Sequence, residues 1–321
     1  MMPKVSVICN TYNHEAYISQ CLDGFLAQQT DFDVEFLIHD DASTDQTPSI
    51  IKDYARRYPG KFNILLQTEN QFSKGLSIID LNMARANGEY IAVCDGDDYW
   101  CDPLKLQRQV DYMDTHPDCT LHVHAYRIIL ARNPSIHLDR FYTTIEIDVT
   151  LHDILTARTT PFAHNTYLFR HHNANYGTAY RLLGYVDLPR LIYSATIGEV
   201  HYSPIIQSVY RSGVAESYVM RNTAKPKTSI HQLRRRIEFY TALVEEIPQE
   251  REILELIVDE LKLNLFAKLR QPIQVIHALK KPGFPLTPKR WLVILGDLCF
   301  PYLMYAIRRY RRLYTLPGGI R

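Results

Sequence analysis

From Lys4 onward the chain alternates between short β-branched runs and stretches whose apolar residues recur at helical spacing. KVSVIC, VEFLIHD, FNILLQ and EYIAVC read as strands. After the first, Tyr17, Ile18, Cys21, Leu22, Phe25 and Leu26 fall on one helical face; Thr47 to Tyr58 and Leu76 to Ala86 repeat the pattern. Parallel strands need long crossovers, and these are right-handed. The alternation therefore predicts an α/β fold with a mainly parallel sheet flanked by helices. Such sheets bind ligands beyond the carboxyl ends of their strands.

The polar residues follow that rule. Asn10-Thr11-Tyr12-Asn13 trails the first strand, Asp40-Asp41-Ala42-Ser43-Thr44-Asp45 the second, and Asp95-Gly96-Asp97-Asp98 the fourth. Crowded carboxylates at the end of a buried strand repel one another and lose hydration unless something compensates them. Mg²⁺ or Mn²⁺ fits, since both prefer oxygen ligands and share them with phosphate. Such an ion would offset charge on a leaving diphosphate. Gly96 is expected to let the backbone turn sharply. Tyr12 suits stacking on a base, and Asp41 suits a ring N–H; local packing and a helix cap are the alternatives.

The segments VSVICNTYNHEAYISQCLDGFLAQQ, IHDDASTDQT and ANGEYIAVCDGDDYWCDPLKLQRQVDYM resemble family-2 glycosyltransferases with a GT-A (Rossmann-like) fold. The stretch GDDYW-x-DP-x-KLQ-x-Q is similar to a bacterial branch linked to capsule, lipopolysaccharide and other surface glycans. The resemblance implies that Asn10, Thr11, Tyr12 and Asp41 hold the nucleotide, with Asp95 on its diphosphate side. It implies that Asp97 and Asp98 serve the metal. The implied reaction is inverting transfer of a sugar from a nucleotide diphosphate sugar to a glycan or lipid-linked acceptor. Asp187, within LGYVDLPRL, matches the family's catalytic base, although two extra residues separate it from Gly184; a helix start is the alternative reading. VYRSGVAES resembles a segment that often reads YR-x-H, but no His stands there. His201 is then a stand-in metal contact or a structural residue, and Arg211 a phosphate contact or a surface ion pair.

A GT-A domain is expected over residues 1–222, divided into a nucleotide-sugar half (1–130) and an acceptor half (131–222). Pro134, Pro161, Pro189 and Pro204 interrupt the second half. A helical C-terminal region follows over 223–321, with helices at 229–247 and 249–270. Residues 288–314 hold an apolar run flanked by Lys and Arg. They read as a helix lying on a cytoplasmic membrane surface, as one packed on the catalytic domain, or as a short membrane span. The start MMPKVSVIC enters a strand almost at once, so no leader is expected. Six scattered cysteines without a CxxC pair suit reduced thiols in a cytoplasmic enzyme. A formal net charge of +1 argues against a nucleic-acid partner. A non-catalytic sugar-nucleotide-binding or assembly protein on the same fold is the alternative function. A nucleotidyltransferase is a third reading, and NTYNHE lacks the Gly-rich basic loop it would need.

Overall fold

The computed structural model describes residues 2–157, 160–173, 177–183, 185–215 and 226–269, together with 271 and 274. Two compact units form. The first gathers described residues 2–154, 160–173 and 190–215; the second gathers 155–157, 177–189 (without 184) and the described residues from 226 onward.

In the first unit β1 (Val5–Thr11) lies between β2 (Val34–Asp40) and β4 (Tyr90–Val93), parallel to both, with β3 (Phe62–Leu66) parallel to β2 at the edge. The connections carry α1 (Ile18–Leu26), α2 (Thr47–Arg57) and α3 (Ile78–Met83). One face of this sheet buries Val5, Val7, Cys9, Phe36 and Ile38 against Cys21, Leu22, Phe25, Ile51 and Tyr54. Phe25 stacks on Phe36 with ring centroids 5.4 Å apart and meets Trp100 edge-on at 4.9 Å.

Past β4 the pairing becomes mixed. The sheet runs β3-β2-β1-β4-β9-β6-β10-β5, where β5 is Tyr99–Trp100, β6 Cys119–Leu130, β9 Leu168–Arg170 and β10 Glu199–Ser212. β9 is antiparallel to both β4 and β6, while β6 and β10 are parallel. Two further strands, β7 (Asn133–Arg140) and β8 (Ile147–Asp148), pair with β6 and β10. Helix α4 (Lys105–Thr115) precedes β6. Pro134 does not end a strand: it sits near the start of β7, where a missing N–H is tolerated. Pro204 falls in the register break of β10 between Ser203 and Ser208.

Helix α5 (Leu151–Ala157) carries the chain out of the first unit, and α6 (Asp187–Ile197) carries it back. The second unit is built on a helical pair, α7 (Pro226–Glu246) and α8 (Arg251–Lys268), joined by a single turn at Pro248–Glu250. Phe239, Tyr240 and Leu243 are buried on α7, Ile247 just past its end, and Leu254, Ile257, Val258 and Leu261 on α8. The expected surface helix at 288–314 lies outside the described residues, as does Cys299. Among the described residues no helix is long and apolar enough to cross a membrane. Cys9, Cys21, Cys94, Cys101 and Cys119 are all free thiols.

Candidate active site

The register of the sheet brings the polar clusters together. Thr11 ends β1 opposite Asp40, and its carbonyl accepts the Asp41 N–H at 3.0 Å. On the other side the Asn10 carbonyl accepts the Gly96 N–H at 2.9 Å. Asn10 to Tyr12 are thus flanked by Asp41 and by the Asp95–Asp98 turn on one sheet edge. Asn82, fully buried on α3, donates to the carbonyls of Cys9 and Leu37 and to Asn10 Oδ1. It pins β1 to β2 where the site begins, and no sequence pattern marks it.

The loops after β1 and β2 interlock. Asn13 takes a left-handed φ of 56°, which Asn tolerates, and its Oδ1 accepts the Thr44 N–H. The N–H groups of Asn13, His14 and Glu15 donate to Ser43 Oγ, Thr47 Oγ1 and Asp45 Oδ2. The polar residues of DASTDQT are therefore largely consumed in holding residues 12–15. Asp45 also accepts the Thr47 N–H at the start of α2, so it is Asp45 that caps this helix, and Asp41 does not. Asp41, 3% exposed, instead accepts the N–H groups of Gln71 and Phe72 at 2.7 and 3.1 Å, which anchors the loop after β3.

Gly96 lies in the expected turn, closed by the Asp98 N–H on the Asp95 carbonyl at 2.9 Å, and it is needed for space as well. Its φ is not among the positive ones, but a Cβ there would lie 2.7 Å from Thr11 Oγ1 and 3.0 Å from Ile18 Cδ1. Side-chain-free backbone is what lets the acidic turn lie against the end of β1.

The acids of this turn have unequal surroundings. Both oxygens of buried Asp98 are engaged, one by the Arg211 N–H at 2.8 Å and the other by Asn165 Nδ2 at 3.0 Å. Burial pushes its carboxyl well up, Asp97 adds to this, and the Arg211 N–H opposes it. The expectation that Asp98 is a metal ligand therefore meets a carboxylate already employed in joining β10 to the turn. Asp97 differs: among the described residues no hydrogen-bond donor engages its carboxylate, and His14 Nε2 stands 3.9 Å from Oδ2. Arg211 is neither exposed nor a surface ion pair. It is 5% exposed, donates to the Asp97 carbonyl and to Gln20, and lies between the rings of Tyr17 and Tyr99, 5.0 and 4.7 Å from their centroids.

Asn165 escapes sequence reading yet connects the site to the core. It donates to Asp98 and to the Val209 carbonyl, and accepts from Ser208. Its own carbonyl accepts the Trp100 indole N–H, and the next carbonyl, of Thr166, accepts from Gln109. Gln109 also accepts from Lys105 Nζ at 2.7 Å, and Lys105 lies 4.3 Å from the Trp100 ring centroid. The W, K and second Q of the DYW…KLQ-x-Q stretch are thus inner supports of the segment that holds Asp98. His201 is occupied with Asp148 at 2.9 Å and stacks on Tyr112, as a structural residue would. Gly213 has a left-handed φ of 82° at the end of β10, a conformation that disfavours the His of the YR-x-H pattern nearby. Asp187 opens α6 and belongs to the second unit, whereas the acidic turn belongs to the first.

Among the described residues no three or more His, Cys, Asp or Glu side chains converge as a metal cage. That suits an ion held by one or two carboxylates and completed by phosphate.

A parallel half-sheet with acids gathered at its carboxyl edge, continued by mixed strands, defines an α/β domain of the GT-A kind. Solved structures share the fold. Staphylococcus aureus TarS (residues 1–349), in complex with UDP, matches at a TM-score of 0.55 and 20% identity, over 97% of this chain and 83% of that one. The mannosyltransferase PcManGT from Pyrobaculum calidifontis, in complex with GDP-Man and Mn²⁺, matches at 0.53 and 17%, over 98% and 85%. Residues 6–176 match Glycosyl transferase family 2, and the chain belongs to that family. A Mycobacterium tuberculosis protein of uncharacterized function is 50% identical over 125 residues, which is 39% of this chain and 36% of that protein. The match thus spans little more than a third of that curated relative.

Proposed function

We propose that the protein transfers a sugar, with inversion, from a nucleotide diphosphate sugar to a hydroxyl of a cell-surface glycan precursor. The observation that carries this reading is the meeting of Asn10–Tyr12, Asp41 and Asp95–Asp97 on one sheet edge, in a chain of this family. Tyr12 and the loop anchored by Asp41 form the base subsite. Asp95 and Asp97 face the diphosphate, and Asp97, whose carboxylate no hydrogen-bond donor among the described residues engages, holds Mg²⁺ or Mn²⁺. Bound there, the ion would neutralise charge developing on the leaving nucleotide diphosphate. Asp98 keeps the turn in place from behind.

UDP, and GDP-Man with Mn²⁺, in the solved relatives support a nucleotide donor and a divalent ion. The GDDYW-x-DP-x-KLQ-x-Q resemblance supports a surface-glycan acceptor at the cytoplasmic side of the membrane. Asp187 is the proposed base on its LGYVDLPRL context and its place at the start of α6. A carboxylate there would take the acceptor hydroxyl's proton.

The test is a thermal-shift panel of nucleotide sugars with and without Mn²⁺, followed by transfer assays. One donor should raise the melting temperature only with metal present. Asp97→Asn should lose that shift and all transfer; Asp187→Asn should keep the shift and lose transfer. Metal-independent turnover by Asp97→Asn would remove the metal assignment. Donor binding without transfer or donor hydrolysis, under every acceptor tried, would favour a sugar-nucleotide-binding protein.

A further inference from the structure

We infer that His14 is a positioning residue for Asp97, its Nε2–H orienting the carboxylate that receives the divalent ion; this rests on the metal reading above. His14 lies between β1 and α1 and is 7% exposed. Its backbone is fixed on both sides. The N–H donates to Thr47 Oγ1 at 2.8 Å, and the carbonyl accepts the N–H groups of Tyr17 and Ile18 at 2.9 Å, where α1 begins. The ring meets Tyr17 edge-on, with centroids 6.5 Å apart and planes at 67°.

The two ring nitrogens have different surroundings. Nδ1 is buried and has no hydrogen-bond partner. Nε2 points to Asp97 Oδ2 across 3.9 Å. A neutral imidazole carries one N–H. A proton on Nδ1 would bury a donor with no acceptor and turn the Nε2 lone pair toward a carboxylate. A proton on Nε2 leaves only an acceptor unsatisfied and aims the donor at Asp97. The tautomer is therefore set by what surrounds the ring, and with it the polarity of the ring nitrogen that stands 3.9 Å from the Asp97 carboxylate. The separation exceeds a hydrogen bond, so the inference requires the Asp97 carboxylate to turn toward the ring. With Oδ2 held from behind by His14, Oδ1 is the oxygen offered to the ion. Partners of this kind change metal affinity by about 10- to 100-fold when removed.

Two measurements test this. The first is NMR of isotope-labelled imidazole nitrogens in the ligand-free protein at mildly alkaline pH, with the His14 signal identified by its loss in His14→Gln. The Nε2–H tautomer is expected, and the Nδ1–H tautomer overturns the inference. The second is Mn²⁺ binding, followed by EPR of the free ion, with Mn²⁺ alone and with UDP or GDP added. His14→Leu should weaken Mn²⁺ binding about tenfold or more, and His14→Gln, which keeps a donor, should recover most of it. Wild-type affinity in a folded His14→Leu, while Asp97→Asn has lost binding, overturns the inference and leaves the metal reading intact. Wild-type affinity in Asp97→Asn itself removes the metal reading instead, and His14's proposed purpose with it. If His14→Leu does not fold, His14→Asn, whose amide stops short of Asp97, takes its place with the same expected loss.

Discussion

The backbone N–H of Arg211 donates to Asp98 Oδ1 at 2.8 Å, while its guanidinium donates to the carbonyl of Asp97, the residue before. One residue of β10 thus holds both a main-chain carbonyl and the adjacent carboxylate of the acidic turn. It also supplies a permanent positive charge next to carboxylates that would otherwise repel without compensation. Arg211→Met should cost on the order of 3 kcal/mol, because it removes the cation and leaves buried acceptors unpaired. Arg211→Lys, which keeps the charge but not the planar fork, should cost less. Urea unfolding of the three proteins checks the order; equal midpoints would show that Arg211 does not carry the turn.

Asn165 holds Asp98 from the other side, across to β10. Asn165→Leu keeps the approximate volume and removes the three side-chain hydrogen bonds, while the backbone carbonyl keeps the Trp100 indole. It should destabilise the protein by about 1–3 kcal/mol, the usual penalty for unsatisfied buried partners. Asn165→Asp keeps the oxygen that Ser208 donates to but sets a second carboxylate against Asp98, so it should lower metal-dependent transfer at least as much as Asn165→Leu. Denaturant midpoints and initial rates on both variants separate the two effects.

Gly96→Ala introduces a methyl 2.7 Å from Thr11 Oγ1 and 2.8 Å from Thr11 Cβ. The turn or the end of β1 has to move. The expected cost is about 1–3 kcal/mol of stability, with weakened donor binding as Asp95 and Asp97 shift away from Tyr12. A melting temperature and a donor titration equal to wild type would mean that the turn has room to spare.

Lys105 is fully buried against Trp100, and burial pushes its ammonium down to about 7 from the ordinary 10.5. Below about pH 7 the lysine is protonated in both folded and unfolded chains, and the desolvation penalty is fully present. Between about 7 and 10.5 the unfolded chain holds the extra proton, so this group makes stability rise with pH. Lys105→Met removes the penalty. Its melting temperature relative to wild type should be highest near pH 6.5 and fall steadily toward pH 10; a difference independent of pH would refute the assignment.

Much of this was legible from residue pattern because the relevant signals are local. The β-branched runs at 4–9, 34–40, 62–67 and 89–94 all became strands, and α1 and α2 follow their apolar spacing closely. The long strand β6 with its partner β7, and the antiparallel insertion of β9 between β4 and β6, carry no comparable local mark. Their pairing is decided by which buried surfaces meet. Roles within the acidic clusters were equally hidden: spacing cannot distinguish Asp97, unengaged by any donor among the described residues, from Asp98, fixed by Arg211 and Asn165 more than sixty residues away.

The sequence by itself determined the parallel half of the sheet, the edge on which polar residues collect, and the family. Alternation and strand-end chemistry depend on neighbours along the chain. Only the tertiary structure decided what each side chain does there: that Gly96 supplies clearance, that Asp41 anchors a loop, that Asp98 and Arg211 form a buried support, and that His14 faces Asp97. These are contacts between distant segments, and hydrogen-bond geometry and burial exist only once those segments are brought together.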